Sequence, residues 1–330
     1  MSQTNPTKPL ASLSLDMDNQ WSYMKTHGDP GWETYPSYLD ILVPRVLKFL
    51  NERNLTITFF VVGQDAALEK NHEAIKAIAR AGHEIGNHSF KHEQWLHLYT
   101  EQEIDADLAS AEEHLERVTG QRPRGFRGPG FSLSAATLQV LSKRGYMYDC
   151  STFPTYLGPL ARAYYFMTAK LTPEEKEERK KLFGTLKDGL RPNKPYRWNL
   201  AGRELIEIPV TIMPLFKVPM HASYILYLSI YSRALALAYF KTALTMCRLN
   251  KVQPSLLLHP LDFLGGDDVK ELAFFPAMNL PAEKKLQMMS DILRLYSQHF
   301  TPASMKQHAL EVSRAVTYQT LEPNFETYQA

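Results

Sequence analysis

The chain has 330 residues, 44% of them hydrophobic and 22% charged, with a formal net charge of +2. Such values belong to a globular protein with a sizeable core, in one large domain or two modest ones. The near-neutral charge, with no basic cluster interleaved with aromatics, argues against nucleic acid as a partner.

The pattern first predicts a strand over Leu10–Asp16, which runs into Asp16-Met17-Asp18. The polar segment Met1–Lys8 before it has no basic stretch followed by an apolar core, so no secretory signal is expected and the cytoplasm is the default compartment. A helix follows over Tyr38–Asn51, with Leu39, Leu42, Val43, Val46, Leu47 and Leu50 at helical spacing and Pro44 predicting a kink or a late start. Next come a strand over Thr56–Val62, a helix over Asp65–Ala81 closed by Gly82, and a strand over Glu84–His88. Thr100-Glu101-Gln102-Glu103 opens a helix in the manner of a capping box, and Gly120 closes it. Gly125–Gly128 and Tyr146–Asp149 read as strands around a helix over Ser134–Arg144. Leu205–Val210 and Ser255–His259 read as later strands. Strand–helix alternation of this kind predicts an α/β fold with a parallel sheet, open or closed into a barrel.

Between about 154 and 204 the alternation is lost, and this stretch is expected to be an insertion within a single domain spanning 1–330. Its mixed-charge run Glu174–Lys181 reads as a solvated helix. The apolar stretch at 213–247 is expected to be helical, and Arg233 near its middle argues against a bilayer span. It is read as a buried helix, with peripheral contact at a membrane surface as the alternative, Phe216 and Met220 dipping into lipid. Cys150 and Cys247 lie far apart and form no CxxC pair. They are expected to be two buried thiols of a reducing compartment, with a disulfide between them as the alternative.

The chemistry concentrates where these strands end. Residues two apart in a strand face the same way, so Asp16 and Asp18 can enter one pocket, one binding a metal and the other staying free as a base. His88 and His92 in Asn87-His88-Ser89-Phe90-Lys91-His92 would lie on one face of a helical turn and could share that metal. A carboxylate with two imidazoles suits a divalent transition metal that keeps a position open for water. Arg127, in Phe126-Arg127-Gly128-Pro129-Gly130-Phe131, is expected to pair with the free aspartate and orient it. His259 ends an apolar strand and fits a proton donor on the far side of a scissile bond, with Asp149 as its expected carboxylate partner and Asp262 as the alternative. His83, His97 and His114 have no such setting and are expected to be surface or core residues.

The order Asp-x-Asp, His-Ser-x-x-His, Arg-x-Pro, Tyr-x-Asp-x-Ser and Leu-x-x-His resembles the polysaccharide deacetylase (NodB-like) family, in its Asp-x-Asp subgroup. The resemblance runs from Leu10 to Asp149 and returns near His259, roughly half the chain. It implies a distorted, incomplete (β/α) barrel, with Asp16 as general base and Asp18, His88 and His92 as metal ligands. It further implies that Arg127 holds Asp16, that His259 is the general acid and that Asp149 tunes it. The departures are Met17 between the aspartates, Arg127-Gly128-Pro129-Gly130-Phe131 in place of Arg-Pro-Pro-Tyr-Gly, and Phe153 near the position of a common tryptophan.

The expected activity is therefore metal-dependent removal of an N-acetyl group from an amino sugar, lipid- or nucleotide-linked because no export signal is seen. Zinc is the first expectation for the metal, and the same ligands accept iron, cobalt or nickel. The competing expectations are a deformylase of a lipid-linked formamido sugar, a non-catalytic carbohydrate-binding protein on the same fold, and a metal-independent amidohydrolase of small ureides.

Overall fold

A computed structural model of the protein describes residues 8–178, 186–200, 203–315 and 318–325. Its strands are β1 (Leu10–Asp16), β2 (Thr58–Val61), β3 (Glu84–Asn87), β4 (Gly125–Phe126), β5 (Tyr148–Asp149), β6 (Tyr196–Leu200), β7 (Arg203–Glu207), β8 (Ser255–Leu258), β9 (Thr301–Ala303) and β10 (Thr320–Leu321). They form one sheet in the order β10-β6-β7-β5-β4-β3-β2-β1-β8, with β9 also on β1. Neighbouring strands are parallel except for β6 and β7. With helices between the strands this is the distorted (β/α) architecture expected. The sheet is not closed: after β7, Thr211 N–H donates to the Ser255 carbonyl at 3.1 Å and Thr211 Oγ1 accepts from Ser255 N–H at 2.8 Å, tying that segment to the start of β8.

Strand β1 explains how polar groups come to lie inside. Its alternation sends Ala11, Leu13 and Leu15 into the main hydrophobic core and leaves Ser12, Ser14 and Asp16 buried on the opposite face. Parallel strands covered on both faces tolerate such polar groups only when they are hydrogen-bonded. Here Ser12 meets His308 and Ser14 meets Arg127.

Most predicted elements are present, with informative differences. The helix Leu39–Asn51 runs through Pro44 without ending there. The single helix expected over Asp65–Ala81 is two, Gly63–Ala67 and His72–Arg80, because the Asn71 amide turns back onto the Asp65 carbonyl and carboxylate and competes with the helical pattern. Thr100 and Glu103 form the capping box of Glu101–Thr119, and Gly120 ends it with φ +71°. Tyr196–Leu200, expected within the insertion, is a strand of the main sheet. Tyr196, Trp198 and Leu200 are buried while Arg197 is half-buried and Asn199 exposed, a period of two that the surrounding prolines and charges obscure. Of the mixed-charge run, Pro173–Glu178 is helical, and Arg179, Lys180 and Lys181 lie outside the described residues.

The apolar region is a helix pair, Ala222–Tyr231 and Arg233–Leu249, broken at Ser232, whose hydroxyl accepts from Leu235 N–H. It buries Ile225, Leu226, Phe240, Ala243 and Leu244 in the core. No described helix is long and apolar enough to cross a membrane. Met220, expected at a lipid surface, is 1% exposed, whereas Leu215 and Phe216 are 77% and 66% exposed. The surface expectation is corrected accordingly: Met220 belongs to the core, and the outward apolar pair is Leu215 with Phe216. Cys150 and Cys247 are free, buried thiols.

Candidate active site

The site forms at the ends of β1, β3, β4 and β8. Asp16 is 4% exposed and accepts from Arg127 Nη1 at 2.7 Å. Arg127, with no exposed surface, follows β4. The same Nη1 reaches Ser14 Oγ at 2.9 Å, Nε reaches the Cys150 carbonyl at 3.2 Å, and the guanidinium lies over the Phe60 ring at 4.5 Å. The expected Arg127–Asp16 pair is thus present, and its planar cation is held on more than one side.

Two residues beyond Asp16, Asp18 faces two imidazoles. Its Oδ1 lies 3.2 Å from His88 Nε2 and 2.9 Å from His92 Nε2, and one ligand atom from each of the three residues falls within 4.8 Å of the others. Burial would raise the Asp18 carboxyl, but the His92 charge and the hydrogen bonds from both rings hold it well below its usual value. Burial likewise opposes charge on His88, where Asp16 and Asp18 outweigh it and raise the pKa; at His92 burial prevails and lowers it. His88 Nδ1–H donates to the Arg127 carbonyl at 2.6 Å, which orients the ring with Nε2 facing Asp18, the nitrogen that would lend its lone pair to a cation in place of its proton. Donor type, spacing and tautomer all fit a divalent metal held by Asp18, His88 and His92.

The two histidines do not share a helical turn. Ser89 and His92 have φ of +61° and +52°, so the backbone doubles back and brings the rings together, 5.1 Å between centroids. Backbone in this region costs free energy for non-glycine residues and must be held by its surroundings. Ser89 Oγ accepts from His92 N–H at 3.0 Å, and Asp107 accepts from Phe90 N–H at 2.8 Å and Lys91 N–H at 3.2 Å. Burial lifts the Asp107 carboxyl to about 6. Below Asp18, Asp65 gathers the Asn19 amide, the Trp21 indole and the Asn71 amide at 2.7, 2.9 and 3.1 Å, with burial lifting it to about 7.

His259 follows β8. Its Nδ1 lies 3.0 Å from Ser223 Oγ, and its backbone N–H donates to Asp262 Oδ2 at 2.8 Å. Ser223 also bonds the Asp262 carboxylate, so Asp262 reaches the imidazole through a hydroxyl. The expected pairing of Asp149 with His259 is not the arrangement found. Asp149 accepts from Ser151 N–H at 3.1 Å and Ser151 O–H at 2.7 Å, and it contacts Glu207. The reason is topological: β5 pairs with β7 in register Asp149↔Glu207, which sets the two acids side by side. Burial raises both carboxyls, Glu207 further because Asp149 faces it. Sequence reasoning missed Ser223, Asp107 and Glu207. Only Glu207 carried a signal, an acid within the apolar run Leu205–Val210.

Fold and site together define an open (β/α) sheet with an Asp–His–His cluster at its strand ends that could hold a metal ion. Residues 29–148 match the family described as polysaccharide deacetylase. The peptidoglycan deacetylase of Helicobacter pylori is 35% identical over 149 residues, 43% of this chain and 49% of that protein. A peptidoglycan-N-acetylglucosamine deacetylase of Bacillus cereus is 33% identical over 104 residues, 32% of this chain and 37% of that protein. Among solved structures, a presumed polysaccharide deacetylase from Mycobacterium smegmatis superposes with a TM-score of 0.62 at 22% identity, covering 97% of this chain and 96% of its own. Puue allantoinase superposes at 0.56 with 17% identity, covering 96% of each chain. Residues 29–148 are thus similar to the polysaccharide deacetylase (NodB-like) family, and the two solved structures share the fold of the chain. The chain spans about half the length, or less, of the curated relatives it matches.

Proposed function

We propose that this protein is a metal-dependent hydrolase that removes an N-acetyl group from an amino sugar within a glycan. The observation that carries the reading is a single pocket holding both the Asp18–His88–His92 ligand set and an Asp16 carboxylate clamped by Arg127. Asp16 ends β1 and Asp18 follows two residues on, just past the strand, which brings base and first ligand within reach of one water. When bound, a divalent metal, zinc first, supplies Lewis-acid polarisation of the scissile carbonyl and a more acidic attacking water. Asp16 takes a proton from that water as its oxygen bonds to the carbonyl carbon. His259, its Nδ1 held by Ser223, presents Nε2 to the nitrogen of the breaking C–N bond and protonates the departing amine. The products are acetate and the amino sugar as its ammonium ion, and the proton held by Asp16 returns, through solvent, to replace the one given by His259. The relatives named above support a glycan rather than a nucleotide-linked sugar.

The test is acetate release from N-acetylglucosamine tetrasaccharide by zinc-loaded protein. Acetate should appear, stop when dipicolinate strips the metal, and return on adding zinc back. Formate release from an N-formyl analogue without acetate release would move the reading to a deformylase. Neither product, from protein that binds zinc at one ion per chain, would overturn it.

The outward Leu215–Phe216 turn supports peripheral contact with a lipid surface, the setting of a lipid-linked substrate. Replacing both residues with serine is expected to lower partitioning onto anionic phospholipid vesicles by about tenfold, given the free energy of burying one such side chain. Equal partitioning of variant and parent in a sedimentation assay would remove this element of the reading.

A further inference from the structure

Asp149 pairs with Glu207 rather than with His259, yet it is connected to the metal ligands. Asp149 Oδ1 accepts from the Ser151 hydroxyl at 2.7 Å, and Ser151 Oγ in turn accepts from Gly128 N–H at 2.8 Å. That N–H and the Arg127 carbonyl are the two ends of one peptide plane, and the carbonyl accepts from His88 Nδ1–H at 2.6 Å. All of these side chains are buried. The plane has little freedom to turn: Arg127 N–H donates to the Asn87 carbonyl at 3.1 Å, and a Cβ on Gly128 would sit 2.0 Å from the Ser132 carbonyl oxygen.

We infer that Asp149 and Ser151 are positioning residues for the metal site, acting through the Arg127–Gly128 peptide to aim and polarise His88. The inference rests on the reading of Asp18, His88 and His92 as metal ligands. Hydrogen bonds in series strengthen one another in a low-dielectric interior. Electron density pushed from the Asp149 carboxylate through the serine hydroxyl onto the amide makes the Arg127 oxygen a better acceptor, and His88 Nε2 a better donor to a cation. Carboxylates commonly do this to a ligating histidine directly. Here a serine and a peptide bond stand between. Of the two facing acids Glu207 is raised the further, so Asp149 is the one that ionises more readily. The same peptide carries the Arg127 side chain, so one plane sets both the base-holding guanidinium and one ligand.

The experiment is zinc titration of the metal-free protein by calorimetry, with cobalt(II) absorption as a readout of ligand geometry. Ser151→Ala is expected to weaken zinc binding about 10- to 100-fold, the range for loss of a group behind a ligand, and to shift the cobalt bands. Ser151→Thr keeps the hydroxyl and should bind as the parent does. Asp149→Asn keeps the shape without the charge and should weaken binding by a smaller factor, and it decides the matter if Ser151→Ala does not fold. Parent-like zinc affinity in folded Ser151→Ala, or in Asp149→Asn, would overturn the relay while leaving the metal site standing. A parent protein that takes up no zinc would overturn the metal reading and the relay with it.

Discussion

Replacing Asp16 with asparagine is expected to lower turnover by about 10²- to 10⁴-fold, the contribution of a positioned general base, while zinc still binds. Asparagine keeps an oxygen to accept from Arg127 Nη1, now 2.7 Å from Asp16 Oδ1, so the pocket keeps its shape while losing its proton acceptor and the charge that pairs Arg127, the latter read as a loss of stability in urea. The comparison of kcat with zinc affinity separates this role from that of Asp18, whose replacement by alanine should remove both. A fall of less than tenfold in Asp16→Asn would take the base assignment away from Asp16.

Arg127→Met should be the most destabilising single change at the site, by about 3–5 kcal/mol, the usual cost of leaving one member of a buried ion pair alone. Arg127 has no exposed surface, and Asp16 has almost none. The ordinary worth of a surface pair does not apply. Methionine fills much of the volume but leaves Asp16, Ser14 Oγ and the Cys150 carbonyl without their donor. Urea unfolding of the metal-free variant measures the effect without contribution from a ligand, and a loss below about 1 kcal/mol would show that Asp16 finds another partner or water.

Those residues also show how far the sequence could be read. Asp16, Asp18 and His259 were legible because β1 and β8 are short, largely apolar runs that lead into a polar residue, whereas His88 and Arg127 stood out by their motifs, since β3 and β4 are short and carry little apolar signal. Pairing across the sheet was not. Asp149 ends a strand much as His259 does, and only the strand order, with β7 beside β5 and β8 beside β1, decides which acid meets which base. The helical turn expected from the His88–His92 spacing failed for a related reason. Left-handed backbone at Ser89 and His92 is imposed by Asp107 from another helix, and spacing alone does not reveal it. Strand β6 was hidden because its alternation occupies only five residues directly after a proline-rich loop.

The neighbours of β1 also bear on how the molecule is made. One edge of that strand joins β2 over Ser14–Asp16, about forty residues on, but the start of that edge waits for β9, paired as Leu10↔Thr301, and the opposite edge waits for β8, paired as Ser12↔Ser255. A ribosome must therefore deliver some 290 residues after Leu10 before the strand bearing Asp16 has all its partners. Contacts so distant along the chain close slowly, and until they do an apolar strand edge stays open to other chains. Yield of active protein in a cell should depend more on translation speed and chaperone supply than on the stability of the finished fold.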